Sequence, residues 1–334
     1  MSINTIFHAF APALLPLVAV AAYPTSDDGC LPDDPLTVLS TLPSTQGLEN
    51  IAIRSNGEIL VTSLASSSVF LVSPSGDSEP VAVVEIPEAA GLSGIVEIQE
   101  DVFYVVGLNL TGFSTAPGTT AVWEIDLRGL GKSGCANRAA VNVVAEFPNA
   151  GFFNGMTRMA ANDTSHVLIS DSSNGTITRL DIITGQSETV FNDEMLRFGQ
   201  EGLPIGVNGI ETLDGRLYFT NFNKGIFAAV PISPTTGMPT GPVDIIAKGL
   251  SGDDFALAPD GARAWLAMNG QNTLVEVDVS GKTTSVVANS TVLTSITSAA
   301  LGRGAEDAGS LYVTGAEALA NGTSVGRVIR ATLA

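Results

Sequence analysis

Histidine is nearly absent from this 334-residue sequence, which contains two. His8 lies in an apolar leader, so His166 is the only histidine in the rest of the chain, just before the strand-like run Val167-Leu168-Ile169. That position is typical of a surface residue. A Ser-His-Asp triad or a Cys-His pair needs a histidine as its base, so the sequence excludes both kinds of nucleophilic site. It also lacks CxxC, HExxH and phosphate-binding glycine motifs, and nothing indicates a zinc or nucleotide site.

Positive charge is scarce as well. Lys and Arg number 15 against 34 Asp and Glu, which gives a formal net charge of −19. The chain has no cluster of basic residues and no run of interleaved basic and aromatic residues, which excludes a nucleic-acid partner. Charged residues make up 15% of the chain, below the roughly 25% of typical soluble domains. A sheet-rich body covered by Ser, Thr and glycans accounts for that low fraction.

Long apolar stretches are limited to the beginning of the chain. Residues 1–22 contain no charged side chain and include one short apolar run, followed by Ala21 and Ala22. This pattern predicts a secretory signal peptide that is cleaved near Ala21 or Ala22. The alternative is an uncleaved membrane anchor, which Pro12, Pro16 and the short apolar length disfavour. We therefore expect a secreted protein with no membrane attachment after cleavage.

Only two cysteines are present, Cys30 and Cys135. In an oxidising compartment an even pair predicts a disulfide bond, which here would tie the N-terminal arm to the loop after the second repeat described below. Asn-x-Ser/Thr sequences beside a signal peptide predict N-glycosylation at some of five positions, namely Asn109, Asn162, Asn174, Asn289 and Asn321.

What the sequence does contain is a short module that recurs six times. The copies are Leu48-Glu49-Asn50-Ile51, Leu92-Ser93-Gly94-Ile95, Phe153-Asn154-Gly155-Met156, Val207-Asn208-Gly209-Ile210, Asp253-Asp254-Phe255-Ala256 and Ile296-Thr297-Ser298-Ala299. One polar residue of each copy serves as a register residue: Glu49, Ser93, Asn154, Asn208, Asp254 and Thr297. A period of about 40–50 residues with several strands per repeat predicts an all-β, six-bladed β-propeller. Radial symmetry then brings the six register residues to one central channel.

The repeats also define the domain organisation. We predict a signal peptide over residues 1–22, an extended arm over 23–45 that wraps the first blade, and the propeller over 46–334. Few segments have a helical period, and residues 192–198 are the best short candidate. The last strand, over residues 327–331, is expected to close the ring.

Four of the register residues could form a shared polar site. Glu49, Asn154, Asn208 and Asp254 offer two carboxylates and two amide oxygens, which are donors that suit Ca²⁺ or a similar divalent ion. The alternatives are ordinary tight turns at the two Asn-Gly pairs and solvated charges at the two acids. Because Asp253 precedes Asp254, either carboxylate could point into the channel.

This pattern resembles the senescence-marker-protein and gluconolactonase family of six-bladed propellers. The resemblance implies that Glu49, Asn208 and Asp254 are metal ligands and that Asn154 faces the substrate. The sequence departs from the family at Glu49-Asn50-Ile51, where the family has Glu-Gly-Pro, and at Asp254-Phe255, where it has Asp-Gly. The arginine-rich sugar contacts of the family are not recognisable.

The segments 48–57 and 153–156 more closely resemble a secreted fungal branch of that superfamily, the hetero-Diels–Alderases of tropolonic sesquiterpenoid biosynthesis. This resemblance implies a cycloaddition between a tropolone o-quinone methide and a humulene-type alkene. Such a reaction transfers no proton between its partners, so a histidine-poor site suffices and no cofactor is required. Asn154, Asn208 or a bound ion would polarise the carbonyl group. Glu49, Asn154, Asn208 and Asp254 are thus the expected catalytic residues.

An apolar wall for the terpene is expected from residues in loops at the channel mouth or beside the register residues: Phe113, Phe152, Phe153, Met156, Phe222 and Phe255. Each of them also fits ordinary packing between blades. Two other functions stay open, a metal-dependent lactonase or esterase and a non-catalytic secreted binder of small molecules. The partner is a small molecule in all three cases, and the sequence leaves the oligomeric state open.

Overall fold

The computed structural model describes residues 35–130, 139–304 and 307–333. The predicted signal peptide, the first part of the predicted arm and both cysteines lie outside the described residues, and so does the predicted disulfide bond. The described secondary structure is almost entirely strand, with two short 3₁₀ helices at Glu194–Leu196 and Thr291–Leu293. The first of these lies inside the predicted helical segment 192–198. No helix in the described part is long and apolar enough to span a membrane.

The strands form six four-stranded antiparallel sheets, which are the blades of a propeller. The chain begins with strand β1 (Leu36–Leu42). Blade 1 then contains β2 (Ile51–Ile53), β3 (Ile59–Ser63), β4 (Ser66–Val72) and β5 (Val81–Glu85). Blade 2 contains β6 (Gly91–Gln99), β7 (Val102–Leu108), β10 (Ala121–Asp126) and β11 (Ala140–Glu146), with a small hairpin of β8 (Leu110–Thr111) and β9 (Ser114–Thr115) inserted after β7.

The later blades repeat this arrangement. Blade 3 contains β12 (Phe153–Arg158), β13 (His166–Asp171), β14 (Thr176–Asp181) and β15 (Ser187–Asn192). Blade 4 contains β16 (Val207–Leu213), β17 (Arg216–Asn221), β18 (Ile226–Pro231) and β19 (Asp244–Lys248). Blade 5 contains β20 (Phe255–Leu257), β21 (Arg263–Met268), β22 (Thr273–Asp278) and β23 (Thr283–Asn289), and blade 6 contains β24 (Ser298–Leu301), β25 (Ser310–Ala318) and β26 (Ser324–Thr332). The predicted all-β, six-bladed propeller is confirmed.

Strand β1 supplies the fourth strand of blade 6. It pairs antiparallel with β26, from Leu36 opposite Ala331 to Leu42 opposite Gly326, so the two ends of the propeller share one sheet. The predicted closing segment, 327–331, lies within β26. The described part of the predicted arm is the outer strand of blade 6 and also packs against blade 1. The physical reason is that Leu39 and Leu42 are buried against residues of blades 6 and 1.

The hydrophobic core is divided among the blade interfaces. Six clusters of buried side chains lie between successive blades, including the pair formed by blades 6 and 1. Each fully buried aliphatic or aromatic side chain stabilises the fold by about 1.5–3 kcal/mol relative to exposure. The clusters lie between the blades and not on the axis. The first strand of each blade lies nearest to the axis, and these inner strands contact one another around it.

The register residues of three blades lie in β-bulges at the beginning of the inner strands. In blade 3, Phe153 pairs with Asp171 and Met156 with Ile169, so Asn154 and Gly155 together face Ser170. Blades 2 and 4 show the same shift at Ser93-Gly94 and Asn208-Gly209. A bulge leaves one residue without its ladder partner, and its N–H group needs another acceptor.

In blades 3 and 4 a hydroxyl group on the second strand accepts this N–H and also links the next blade. The Ser170 hydroxyl accepts the Gly155 N–H at 2.9 Å and donates to the Asn208 carbonyl of blade 4 at 2.5 Å. Thr220 accepts the Gly209 N–H at 3.0 Å and donates to the Asp253 carbonyl of blade 5 at 2.6 Å. In blade 1 the Thr62 hydroxyl accepts the Asn50 N–H at 3.0 Å and donates to the Ser93 carbonyl of blade 2 at 2.8 Å, and in blade 6 the Thr314 hydroxyl donates to the Glu49 carbonyl of blade 1 at 3.2 Å. The four bridging hydroxyls are those of Thr62, Ser170, Thr220 and Thr314.

Glycine follows the register residue in these bulges because neighbouring backbones approach closely. A Cβ on Gly155 would lie 2.7 Å from the Asn208 carbonyl oxygen, and one on Gly209 would lie 2.1 Å from Oδ1 of Asp254. Neither glycine has a positive φ. The Asn-Gly pairs are therefore not tight turns, the alternative that the sequence left open.

Candidate functional site

A cavity of about 490 Å³ lies on the propeller axis and is lined by the inner strands of all six blades. Its apolar wall includes Ile53, Ile95, Met156, Ile210, Phe255 and Leu257. Its polar lining includes Asn50, Glu97, Arg158, Glu211, Asp254, Ser298 and Arg303. The cavity lining is therefore divided about equally between apolar and polar side chains, and ligand sites usually combine the two.

Asp254 lies in the cavity wall with both carboxylate oxygens engaged. Oδ1 accepts the Phe255 N–H at 2.8 Å, and Oδ2 accepts the Asn50 amide at 2.9 Å and the Ser298 hydroxyl at 3.2 Å. Burial raises the pKa of Asp254 to about 6, because removal from water disfavours the charged form. Asn50, which stands in place of the family's glycine, is thus a direct partner of this acid.

Asp253 has a different set of partners. Its Oδ1 accepts the Asn208 amide at 2.6 Å and its Oδ2 accepts the Asn269 amide at 2.7 Å. Burial is again the largest cause that raises its pKa, to about 7, and the charge of Asp254 adds to it. Both aspartates therefore face the interior. Asp254 lines the cavity, whereas Asp253 is enclosed by two amides.

Glu49 lies near both aspartates. Burial first, and then the negative charges of Asp253 and Asp254, raise the pKa of Glu49 well above its usual value. No hydrogen bond to its carboxyl group is found among the described residues. Its backbone is fixed, because its N–H donates to the Thr62 carbonyl at 2.9 Å and its carbonyl accepts the Thr314 hydroxyl at 3.2 Å.

The remaining register residues are buried in the same ring. The Ser93 hydroxyl donates to the Phe153 carbonyl at 2.8 Å, and the Thr297 hydroxyl donates to the Leu48 carbonyl at 3.0 Å. Asn154 is 3% exposed and lies in the blade 3 bulge. These residues lie in one belt that is linked from blade to blade, and we call it the register ring. In blade 5 the ring residue is Asp253 and not Asp254, because the Asp253 carbonyl accepts the Thr220 hydroxyl as the Asn208 carbonyl accepts that of Ser170.

Glu211, on β16, is a cavity residue that the sequence reasoning did not identify. Its Oε2 accepts the Leu257 N–H at 2.9 Å. Burial raises the pKa of Glu211 to about 8, and the nearby charge of Asp254 contributes. The signal was present in the sequence, because Glu211 follows Asn208 by three positions on a predicted inner strand. Following that strand beyond its register residue would have found it.

Charged side chains border the solvent-exposed end of the cavity. Arg158 donates to the backbone carbonyls of Glu97 at 3.0 Å and Ile98 at 2.7 Å. Arg303 donates to the Ile53 carbonyl at 2.7 Å and forms an ion pair with the Glu97 carboxylate. These contacts tie the exit ends of several inner strands together.

The predicted apolar contacts divide into three groups. Met156 and Phe255 line the cavity and also belong to the interface clusters. Phe152 and Phe153 pack in the cluster between blades 2 and 3, where the Phe153 ring lies 4.8 Å from that of Phe147.

The other two predicted contacts, Phe113 and Phe222, follow β8 and β17 at the end of the channel where the inner strands begin. Phe113 is half-buried, and its carbonyl accepts the Ser173 hydroxyl at 2.8 Å. Phe222 is buried. Substrate contact by any of the six residues stays a prediction.

The implied divalent ion does not fit the side chains in this arrangement. Among the described residues, no three His, Cys, Asp or Glu side chains are grouped so as to hold a metal ion. Asn208 directs its N–H toward Asp253, and the oxygens of Asp254 already accept N–H and hydroxyl groups. One buried oxygen here, Oδ1 of Asn269, has no partner within the described chain. Together with the Glu49 carboxylate, this oxygen gives fewer ligands than the six to eight that Ca²⁺ prefers.

Four of the five predicted glycosylation positions are exposed, namely Asn162, Asn174, Asn289 and Asn321. Asn109 is half-buried, and its side-chain oxygen accepts the Ala90 N–H at 2.6 Å. His166 is also half-buried and lies 3.0 Å from the Asp163 carboxylate, away from the cavity lining. Occupancy of the glycosylation positions stays a prediction.

The fold and the site define a six-bladed propeller with enclosed carboxyl groups on its axis. No family model matches the chain. The chain is 28% identical over 327 residues to a candidate hetero-Diels–Alderase from a Phoma species, covering 87% of this chain and 89% of that protein. It is also 28% identical over 261 residues to a candidate hetero-Diels–Alderase of Sarocladium schorii, asR5, covering 69% of this chain and 63% of that protein.

Solved structures share the architecture at low identity. The crystal structure of a calcium-binding protein, regucalcin, from Agrobacterium tumefaciens superimposes with a TM-score of 0.57 at 18% identity, covering 89% of this chain and 94% of that one. A virginiamycin B lyase from Staphylococcus aureus superimposes with a TM-score of 0.53 at 12% identity, covering 90% and 99%. At such identities the likeness shows the fold alone. Both resemblances inferred from the sequence are confirmed. The two relatives are named as hetero-Diels–Alderases, and the regucalcin structure shares the six-bladed propeller fold.

Proposed function

We propose that this chain is a hetero-Diels–Alderase that joins a tropolone o-quinone methide to a humulene-type sesquiterpene in the axial cavity. The names of its two relatives support a reaction of this class. The observation that carries the proposal is the axial cavity, in which apolar side chains from several inner strands lie beside polar and charged groups. Among its lining residues there is no histidine to activate a nucleophile.

In this reaction the side chains need only orient the two reactants and polarise the carbonyl group. A cycloaddition forms a C–C and a C–O bond while both partners keep all their atoms, so no nucleophile and no general base is needed. Holding two reactants in register removes about 7–11 kcal/mol of the barrier in well-oriented intramolecular reactions. The rigid inner strands, which are fixed by the bridging hydroxyls, supply such a frame. Apolar walls exclude water, which strengthens each polar contact inside.

The stereochemistry of the product tests the proposal. The purified protein would be mixed with a precursor of a tropolone quinone methide and a hydroxylated humulene, and the diastereomer and enantiomer ratios of the adduct would be measured. Because these partners also react spontaneously, yield alone decides nothing. We expect one stereoisomer in excess with the protein and a mixture of stereoisomers without it. Identical ratios with and without protein would overturn the proposal, and hydrolysis of a simple aryl or sugar lactone would then favour the lactonase.

We also propose that the protein is secreted, with some of its five Asn-x-Ser/Thr positions glycosylated and with Cys30 bonded to Cys135. The support is the sequence pattern of residues 1–22 and the exposure of four of the five asparagines. Mass spectrometry of protein from a secreting host checks the mature N-terminus, which we expect near Ala22 or Tyr23, and the attached glycans. Free thiols on both cysteines would contradict the disulfide.

A further inference from the structure

Glu211 differs from the other polar groups of the axial cavity in its hydrogen bonds. One oxygen accepts the Leu257 N–H at 2.9 Å, and no other hydrogen bond to its carboxyl group is found among the described residues. Both carboxylate oxygens of Asp254 are occupied, since its Oδ1 accepts the Phe255 N–H and its Oδ2 accepts hydrogen bonds from the Asn50 amide and the Ser298 hydroxyl. The side-chain oxygen of Asn50 is occupied as well, because it accepts the Ile51 N–H at 3.0 Å. Glu211 is therefore the acid of the cavity with an oxygen left for a ligand.

The surroundings of Glu211 favour the neutral acid. It lies between Ile210 and the β20 residues Phe255 and Leu257 in the cavity lining, and the charged group that acts on it is Asp254, which is negative. A carboxyl group in such a setting holds its proton, because burial and a like charge both disfavour ionisation. The pKa of about 8 agrees with this geometry. A protonated carboxyl group has one O–H donor, and the Leu257 N–H fixes the oxygen that accepts.

We propose that Glu211, as a carboxylic acid, donates a hydrogen bond to a carbonyl oxygen of the ligand in the axial cavity; the catalytic part of this inference rests on the proposed function. In the cycloaddition the acceptor is the quinone-methide carbonyl oxygen, which becomes the ether oxygen of the new ring. The hydrogen bond draws electron density from the heterodiene and stabilises charge that develops on that oxygen. The proton stays on Glu211 throughout, so the acid is unchanged after each turnover.

Two substitutions separate donation of a hydrogen bond from the mere filling of space. Glu211→Gln keeps an N–H donor of similar shape, and Glu211→Met keeps the length of the side chain without a donor. Glu146→Met, on the exposed outer strand β11, is the matched control. Circular dichroism and thermal unfolding establish that each variant is folded. If Glu211→Met does not fold, Glu211→Ala replaces it as the variant without a donor.

The first measurement is binding of tropone, a seven-membered ring ketone that does not ionise, followed by infrared spectroscopy of its carbonyl stretch. We expect the stretch to move to lower frequency in the wild type and in Glu211→Gln, and to stay at its apolar-solvent value in Glu211→Met. The tropone Kd should rise about tenfold in Glu211→Met, which is the loss of one hydrogen bond. An unshifted carbonyl in the wild type, or an equal shift in all variants, would overturn the inference.

The second measurement is the cycloaddition itself. We expect Glu211→Met to lose about 10²-fold in rate, as enzymes do when one preorganised donor is removed, and Glu211→Gln to keep most of the rate. A Glu211→Gln variant as slow as Glu211→Met would overturn the role as a donor. The two proposals can fail separately. If the tropone shift is lost in Glu211→Met but the wild-type protein does not control the stereochemistry of the adduct, the proposed function fails and Glu211 stands as a ligand-binding acid. If Glu211→Met catalyses the cycloaddition at the wild-type rate, the role of Glu211 fails and the proposed function stands.

Discussion

The register ring and the axial cavity use the same residue types in opposite ways. In the ring, Asp253 accepts hydrogen bonds from two amide groups, those of Asn208 and Asn269, and hydroxyl groups accept the bulge N–H groups of blades 3 and 4. In the cavity, Glu211 has one backbone partner and an oxygen left over. A buried polar group whose partners are all provided holds the fold together, whereas one with a missing partner can bind a ligand. Asp253 and Glu211 are both acids with raised pKa values, and they differ in the number of hydrogen-bond partners that the fold provides.

The largest expected effect breaks the register ring sterically. In Gly209→Ala the new Cβ would lie 2.1 Å from Oδ1 and 2.6 Å from Cα of Asp254, so two inner strands would have to separate. We expect little or no folded protein, since even milder overpacking costs about 1–3 kcal/mol. Gly129→Ala is the control, because a Cβ there meets nothing within 4 Å. The yield of soluble protein and thermal unfolding measure the difference, and a Gly209→Ala variant as stable as its control would contradict the packing argument.

The next effect concerns activity with the fold intact. Asp254→Ala removes the acceptor of Asn50 and Ser298 in the cavity wall, and Glu49→Ala removes the acid that lies beside both aspartates. We expect each variant to lose about 10²-fold in cycloaddition rate, the usual effect of disturbing a preorganised polar site. Asp77→Ala, in an exposed loop, serves as the control. Full activity in both variants would make these acids purely structural.

The bridging hydroxyls should show the reverse pattern, with stability lost and activity kept. Thr220→Val keeps the shape of the side chain but removes the hydroxyl that bonds to both the Gly209 N–H and the Asp253 carbonyl, so that only the direct 3.1 Å hydrogen bond between those two groups is left. A hydrogen bond contributes about 0.5–1.5 kcal/mol net, so we expect the loss of two of them to lower the free energy of unfolding by about 1–3 kcal/mol in urea unfolding. Thr283→Val on the exposed outer strand β23 is the control. A loss of activity per folded molecule would place Thr220 in the chemistry instead.

A smaller effect is the dependence of stability on pH. The pKa values of Asp254, Asp253 and Glu211 are raised to about 6, 7 and 8 in the folded protein, above their usual values of 3.8, 3.8 and 4.5. Between these limits the folded state holds more protons than the unfolded state, so the free energy of unfolding falls as pH rises from about 5 to 8, by up to about 1.4 kcal/mol per unit for each proton. Asp254→Asn should flatten part of this slope in urea unfolding at several pH values. A free energy of unfolding that increases with pH over this range would contradict the raised pKa values of these three acids.

The smallest expected effect is that of chelation. Because amides and a hydroxyl already serve Asp253 and Asp254, we expect dialysis against a chelator and later addition of Ca²⁺ to leave the unfolding temperature almost unchanged. An ion at a hundred times its Kd would stabilise the protein by about 2.7 kcal/mol, which thermal unfolding detects easily. A clear increase with Ca²⁺ would restore the ligand set implied by the family resemblance.

The sequence predicted the architecture well because the propeller is periodic. Each blade has its own register residue, strands and turns, so six weak sequence patterns together indicate the repeat. The position of β1 was missed, since its partner β26 lies nearly three hundred residues away and a seven-residue strand carries no mark of that pairing. The bulges were also hidden, because an Asn-Gly pair is a common turn signal and only the approach of the next blade explains it.

The site was predicted in its location more than in its pairings. The register residues do lie together. However, the Asn208 amide donates to Asp253 across the blade interface, whereas Asp254 accepts the Asn50 amide. A shift of one residue in a strand reverses the face of a side chain, and no repeat pattern resolves such a shift. Glu211 lay outside the repeated module altogether, since it belongs to one blade alone.

The shared sheet of β1 and β26 also has a consequence for biosynthesis. The earliest described strand to leave the ribosome bonds to the last one, so a nascent chain can build blades 1 to 5 while β1 waits without a neighbour. A chain cut short before Ser324 would expose the backbone of β1 and the apolar surface that Leu39, Leu42 and Tyr312 share with blade 1. Unpaired edge strands and exposed apolar surface favour aggregation. Incomplete translation products of this protein are therefore expected to be substrates for chaperones, whereas in the complete propeller β1 is paired with β26 and Leu39 and Leu42 are buried.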